Sequence, residues 1–349
     1  MKTILWVEGK LGIQSSKMAS GVIRYGTKYD IVAVVDSTKV GQDVGDVLDG
    51  KKNGIPIVAS IKDALAYNPK YFLVGLAPDT CVDRIDDEIR KVVIEAIDAH
   101  LNIVTGTLAA ISDDRALDEY AKKMGVEIFD SRKPTSQSRA FSGDILKKRT
   151  KVLLTVGTDW SVGKMTTALE IVKETRKRGY KVAFVATGQT GILCGADVGI
   201  PADNIRTSYM TGAIEEAIMY LDNKGYDLIV VEGQGCITHP NGSGCPISLL
   251  YGSMPDFIVM CHDQNRSFRK LFPNFKINTI EQNLDTIRYI MFDYPVPRLV
   301  GISIISSTSN DPKLEQEIAN FEAKYEVPVV DSRRVGVKRV VDSFINKLR

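Results

Sequence analysis

The strongest constraint on how this chain folds is the stretch KVLLTVGTDWSVGKMTT at residues 151–167. It opens on the apolar run Val152, Leu153, Leu154, Thr155, Val156, which suits a buried parallel strand. It then turns through Gly157 and Gly163, reaches Lys164, and continues as a predicted helix from Met165 to about residue 178. Strand, glycine-bounded turn, lysine and helix, in that order, are the parts of a phosphate-binding loop. Turn amides converge on an anion, the helix N-terminus adds partial positive charge, and the lysine adds a full one. A bare Gly-Lys pair would mean little; the flanking elements give it weight. The bland alternative is a tight strand-to-helix turn carrying a surface lysine.

The chain around this stretch alternates as an α/β fold requires. Strands are predicted at residues 3–7, 31–35, 57–58, 71–76, 102–105 and 126–129, with helices at 15–25, 61–66, 86–100 and 113–124. After the first strand, EGKLG supplies Gly9 and Gly12, a G-x-x-G where the dinucleotide fingerprint needs G-x-G-x-x-G. Asp36 ends the second strand, where a ribose-binding acid would stand. This is a dinucleotide site in outline only. The alternative is a Rossmann-like domain whose strand ends shape a substrate cleft. His100 falls in the last turn of its helix, where a cation suits the dipole, so it reads as a cap.

From residue 131 to 150 the pattern breaks, with Pro134, Gly143 and several serines but no sustained apolar period, as in a linker. At 349 residues the chain exceeds one ordinary core and fits two domains, placed at 1–140 and 149–349. The second carries strands at 152–156, 182–186, 228–231, 257–261, 299–305 and 327–330. Its helices fall at 165–178, 212–223, 247–251, 280–292 and 312–325, followed by a terminal helix. The expected fold is two doubly wound α/β domains, the N-terminal one Rossmann-like and the C-terminal one P-loop NTPase-like, with mostly parallel sheets.

Composition narrows the function classes. Against 45 basic residues stand 43 acidic ones, a net charge of +2 that predicts no nucleic-acid footprint. Lys147-Lys148-Arg149 and Arg333-Arg334 are short and read as solvated faces. No apolar run is long enough to span a bilayer, and the apolar N-terminal stretch breaks at Glu8, unlike a secretion signal. Cys81, Cys194, Cys236, Cys245 and Cys261 form neither a C-x-x-C pair nor a zinc-type spacing, which predicts reduced thiols in a cytoplasmic protein. Cys236 and Cys245 fall near the site, without a base partner nearby in sequence. A homo-oligomer without nucleic-acid or membrane partners is the expected state.

In open parallel sheets, ligands bind beyond the carboxyl ends of the strands. That rule gathers the loops after Val156, Ala186, Val231 and Cys261 onto one rim, with Lys164, Gln189, Glu232, Gln234, His239, His262 and Arg266. The phosphate loop is one residue longer than usual, and GTDWSVGK resembles the loop of dethiobiotin synthetase and related ATP-dependent carboxylate-activating enzymes. Its expected ligand contacts are Gly157, Thr158, Asp159, Ser161, Val162, Gly163, Lys164, Met165 and Thr166. Met165, however, occupies the position whose hydroxyl normally ligates magnesium. Thr166 is rotated from it by about 100° on a helix. The strand at 182–186 ends without an acid, so Glu232 alone remains of the usual metal-site features. Magnesium prefers near-ideal octahedral oxygen coordination, so no protein metal site is expected. The loop then suits a phosphate or pyrophosphate held as a handle, such as that of coenzyme A.

The stretches EGKLG, VVDSTKVGQDVGDVLDGKKNGIPIVAS, GTDWSVGKMTTALE, FVATGQTGI, VVEGQGCITHP and PDFIVMCH together resemble the D-glutamate N-acetyltransferase family. The resemblance covers nearly the whole chain. It implies a Rossmann-like domain followed by a phosphate-loop domain. It also implies acetyl transfer from acetyl-coenzyme A to the amine of a small-molecule amino-acid substrate, D-glutamate. Such chemistry needs a base for the ammonium and donors for the oxyanion. Glu232 and His239 are the candidates for base and orienter. Gln189, Gln234, His262 and Arg266 are the candidates for substrate binding, with Arg206 and Lys10 as further cations. Glu232 reads equally as a vestigial metal ligand or a carboxylate hydrogen-bonded to the loop, and His239 as a residue shaping the turn before Pro240. The alternative functions are a Mg-ATP-dependent ligase or kinase-like enzyme, and a nucleotide-binding protein without turnover.

Overall fold

The computed structural model describes residues 1–76, 84–134, 139–305 and 312–348; Cys81 and residues 135–138 of the predicted linker lie outside the described residues. The chain divides into two compact units, Met1–Thr135 with Gln189–Gly195, and Ser136–Gly188 with Ala196–Arg349.

In the first unit, short apolar runs form six strands: β1 (Lys2–Trp6), β2 (Asp30–Val35), β3 (Ile57–Val58), β4 (Tyr71–Val74), β5 (Asn102–Thr105) and β6 (Ile128–Asp130). All pair in parallel, in the order β3-β2-β1-β4-β5-β6. That is the order of dinucleotide-binding domains, so the Rossmann-like expectation holds. The dinucleotide outline does not. Asp36, fully buried, takes the amides of Gly9 (3.0 Å) and Thr38 (3.1 Å) on Oδ1 and that of Leu11 (3.4 Å) on Oδ2. The first turn's amides therefore point at the chain's own carboxylate, which is held below its usual range: its hydrogen bonds outweigh the burial that would raise it. One helix passed over in sequence, Val44–Asp49, starts where the Asp43 carboxylate accepts from the amides of Gly45 and Asp46. Within this unit the helix Gln189–Leu193 lies against the helix Lys17–Tyr25.

The second unit carries β7 (Lys151–Gly157), β8 (Val182–Ala186), β9 (Val198–Gly199), β10 (Leu228–Val231), β11 (Phe257–Asp263), β12 (Phe268–Arg269), β13 (Phe272–Lys276), β14 (Arg298–Ile305) and β15 (Val329–Val330). Seven of them form one parallel sheet, β15-β14-β11-β7-β10-β8-β9. β12 and β13 form a separate antiparallel hairpin that the apolar pattern did not announce. Residues at alternate positions, among them Val152, Leu154, Ile229, Val231, Ile258 and Met260, enter one core with Ile214, Ile218, Leu249, Leu284 and Ile287. Alternation places each strand's second set on the opposite face. The helices Thr207–Asp222 and Gly244–Ser253 approach closely, since a Cβ on Gly252 would sit 2.6 Å from Thr211 O.

The described part of the predicted linker is fastened to the second unit. The fully buried Glu215 accepts from the Ser142 amide at 2.7 Å and the Ile145 amide at 3.1 Å. Arg139 O lies where a Cβ on Gly212 would stand, 2.1 Å away. No helix among the described residues is long and apolar enough to cross a membrane.

Candidate active site

β7 sits between β11 and β10, so its carboxyl end opens at the middle of the rim. The loop folds back on it at once. A Cβ on Gly157 would meet Val162 Cγ2 at 2.6 Å and Lys164 Nζ at 3.2 Å. Ser161 (φ 55°) and Gly163 (φ 89°) take left-handed backbone on either side of Val162, an alternation of hand that turns successive amides toward a common centre. The helix Lys164–Lys177 makes its first backward bond from Thr167 N–H to Gly163 O, 2.9 Å. The amides of residues 164–166 are therefore the orphan donors of a helix N-terminus. Lys164 is buried, its ammonium held below its usual range by desolvation and donating to Asp159 O at 2.8 Å.

Two expected phosphate ligands do other work. Thr158 gives its amide to Cys261 O (3.1 Å), and its hydroxyl pairs with His262 Nδ1 (2.9 Å), tying the loop's start to β11. Asp159 is fully buried, and its Oδ2 accepts from Arg266 Nη1 (3.2 Å) and the Lys270 amide (3.1 Å). Burial makes an unpaired carboxylate costly, so the two arginines that approach it, Arg266 and Arg269, hold the loop's shape. Met165 and Thr166 remain partly exposed. Thr167, the next hydroxyl, is spent on Ser303 Oγ at 2.9 Å.

Glu232 follows β10 directly and is buried. Its Oε2 accepts from the amides of Thr187 (3.1 Å) and Gly188 (3.2 Å), the residues that follow β8. Among the described residues no donor reaches Oε1. Desolvation pushes its pKa from 4.5 up to about 7, against the pull of those amides and of Lys164. The next residue makes this possible: a Cβ on Gly233 would lie 1.7 Å from Thr155 O. Gln234 Nε2 reaches Thr187 O at 3.3 Å on the same rim.

His239 has two readings in sequence, a base or its orienter and a residue shaping the turn before Pro240; in the structure the ring is buried, with Nδ1 held by Asn241 (2.9 Å to its O, 3.0 Å from its N). Its Nε2 faces Asp159 Oδ1 at 3.6 Å, and the ring stacks on Trp160 with centroids 4.3 Å apart. Burial favours its neutral form. Arg266 is a correction. It bonds Asp263 Oδ2 (2.8 Å), Asp159 and Trp160 O (2.8 Å), leaving no free fork for a substrate carboxylate. Gln189 is buried at the start of the helix Gln189–Leu193, packed where a Cβ on Gly106 would stand, 2.9 Å from its Cγ. Arg206 is exposed at the start of the helix Thr207–Asp222.

The thiols stay protonated where burial governs them. Cys245 is pushed up to about 12 and Cys261 to about 11. Behind the rim, Thr155, Gly233, Cys236, Met260 and Asn283 line a cavity of about 20 Å³, room for roughly one water. Sequence reasoning missed Arg269, Thr187 and Gly188. Arg269 is one of three basic residues in its hairpin, with Lys270 and Lys276, so its type alone did not single it out, and the two amide donors had no signal.

Residues 139–341 match a P-loop domain described as a domain of unknown function, DUF1611_C, and residues 37–134 match its Rossmann-like companion, DUF1611_N. The chain belongs to the DUF1611 family. A DUF1611 protein from Anabaena variabilis, solved by crystallography, superposes with a TM-score of 0.89 at 28% identity, covering 99% of each chain. A protein of Tritonibacter scottomollicae named D-glutamate N-acetyltransferase is 32% identical over 82% of this chain and 84% of its own length. One from a Pseudoalteromonas species, named likewise, is 33% identical over 81% of this chain and 83% of its own.

Proposed function

We propose that this chain is an amino-acid N-acetyltransferase that moves the acetyl group of acetyl-coenzyme A to the amine of D-glutamate. The observation that carries the reading is Glu232, a buried carboxyl with a pKa of about 7 beside the phosphate-loop lysine. A base poised there takes the proton of an amino acid's ammonium at neutral pH. The names of two relatives, each matching over four fifths of the chain, support the same reaction class. The phosphate loop, which lacks the hydroxyl after Lys164, suits a diphosphate that is gripped and never cleaved.

In this reading the loop amides and Lys164 hold the diphosphate of the acyl carrier. Glu232 Oε1 accepts the first proton from the ammonium. The freed amine attacks the thioester carbonyl, the C–S bond breaks, and an amide forms. The second nitrogen proton ends on the departing thiol, and the first passes from Glu232 to solvent.

The test is thiol release from acetyl-coenzyme A with D-glutamate, in EDTA and without ATP. Release is expected. No release with a panel of D- and L-amino acids would reject the reading, and magnesium-dependent ADP formation would replace it with a ligase or kinase.

A further inference from the structure

Acyl transfer at Glu232 leaves one feature of the loop without a purpose. Trp160 stands inside the phosphate loop, one residue before Ser161, and remains partly exposed. One face lies on His239, with centroids 4.3 Å apart and rings 18° from parallel, and Phe272 of β13 meets it edge-on at 6.4 Å. His239 is fixed by Asn241 and faces Asp159. Asp159 is gripped by Arg266 and by the amide of Lys270, between β12 and β13. Loop, histidine and hairpin thus hold the indole at the edge of the phosphate seat, with the residue left partly exposed. The same hairpin exposes Phe268 (47%), Leu271 (55%) and Phe275 (51%), apolar surface that a protein rarely leaves uncovered in a group without a use.

A diphosphate seat with a rigid ring in its wall and apolar side chains beside it fits a ligand whose diphosphate joins a flat base to an apolar arm. We propose that Trp160 is the platform on which the adenine of coenzyme A stacks, with His239 as the positioning residue behind it. The proposal rests on the loop's being a seat for an acyl carrier. A phosphate loop that reads its base through the loop itself would tolerate adenine nucleotides generally, so ADP should share the site.

The experiment uses the full chain with Trp6→Phe. Trp6 is the other of two tryptophans and lies buried in the first unit, so this leaves Trp160 as the reporter. Coenzyme A and ADP should quench its fluorescence, while pantetheine, which lacks base and diphosphate, should not. Trp160→Ala should weaken coenzyme A and ADP roughly tenfold to a hundredfold while pyrophosphate binding persists, and Trp160→Phe should retain most of the affinity. Unchanged affinity in Trp160→Ala, or an equal loss of pyrophosphate binding, would overturn the proposal. Absence of quenching by both coenzyme A and ADP would overturn it as well. Thiol release with D-glutamate reports separately on acetyl transfer. Release without quenching leaves the acetyltransferase standing and the platform refuted, and quenching without release does the reverse.

Discussion

Replacing Glu232 by glutamine keeps the shape of the rim and removes one ionisation. In the folded chain this carboxyl titrates near pH 7, against 4.5 when unburied, because desolvation outweighs the amides of Thr187 and Gly188. A carboxyl whose folded pKa lies above its unfolded value stabilises the fold fully below about pH 4.5. That contribution is lost as the pH rises through about 7. The difference corresponds to about 3 kcal/mol, with little screening, since the residue is 5% exposed. Urea denaturation of both proteins from about pH 4.5 to about pH 8.5 isolates it, because the other titrating groups cancel in the difference. Wild type should lose about 3 kcal/mol relative to Glu232→Gln across that range. In the acetyl-transfer assay, the wild-type rate should rise through about pH 7, and the variant should lose about 10²–10⁴-fold in kcat. Parallel stability curves would refute the burial argument, and an unchanged rate would refute the base.

Gly233→Ala drives a methyl to 1.7 Å from Thr155 O, in the middle of the sheet, and threatens the Gly233 N–H bond to Thr155 Oγ1; a loss of about 3 kcal/mol or more is expected in thermal unfolding. Asp159→Ala strips the carboxylate from Arg266 and the buried Arg269. It should destabilise the chain by about 3–5 kcal/mol in urea and shift the emission of Trp160. Glu215→Ala leaves the Ser142 and Ile145 amides without their acceptor, at about 1–3 kcal/mol for each. Hydrogen exchange should then rise first at those two amides, and uniform exchange would contradict the anchoring role.

The fold was legible because a parallel sheet needs continuous apolar runs, and Val152–Val156, Val182–Ala186 and Leu228–Val231 all became strands at those places. Period alone could not reveal the hairpin at β12 and β13, because Phe268 and Phe275 are exposed and Phe272 is only half-buried. Nor could it reveal the short helix Gln189–Leu193, hidden in a glycine-rich stretch. At the site, glycine and lysine positions were readable because loop geometry restricts residue type. Partners were not. Whether Arg266 is a free fork or a clamp depends on Asp159, 107 residues away in sequence. Whether Glu232 is ionised depends on how much protein covers it.

Asp36 carries a consequence for the first domain. Its carboxylate occupies the amide cluster that, in a domain with this strand order, would receive a cofactor's phosphate. The protein supplies its own anion as a built-in substitute ligand. A turn organised by a dissociable cofactor gains stability only as that cofactor's concentration rises. This one carries its anion within the chain, so the turn at Gly9–Leu11 keeps its shape without a bound cofactor.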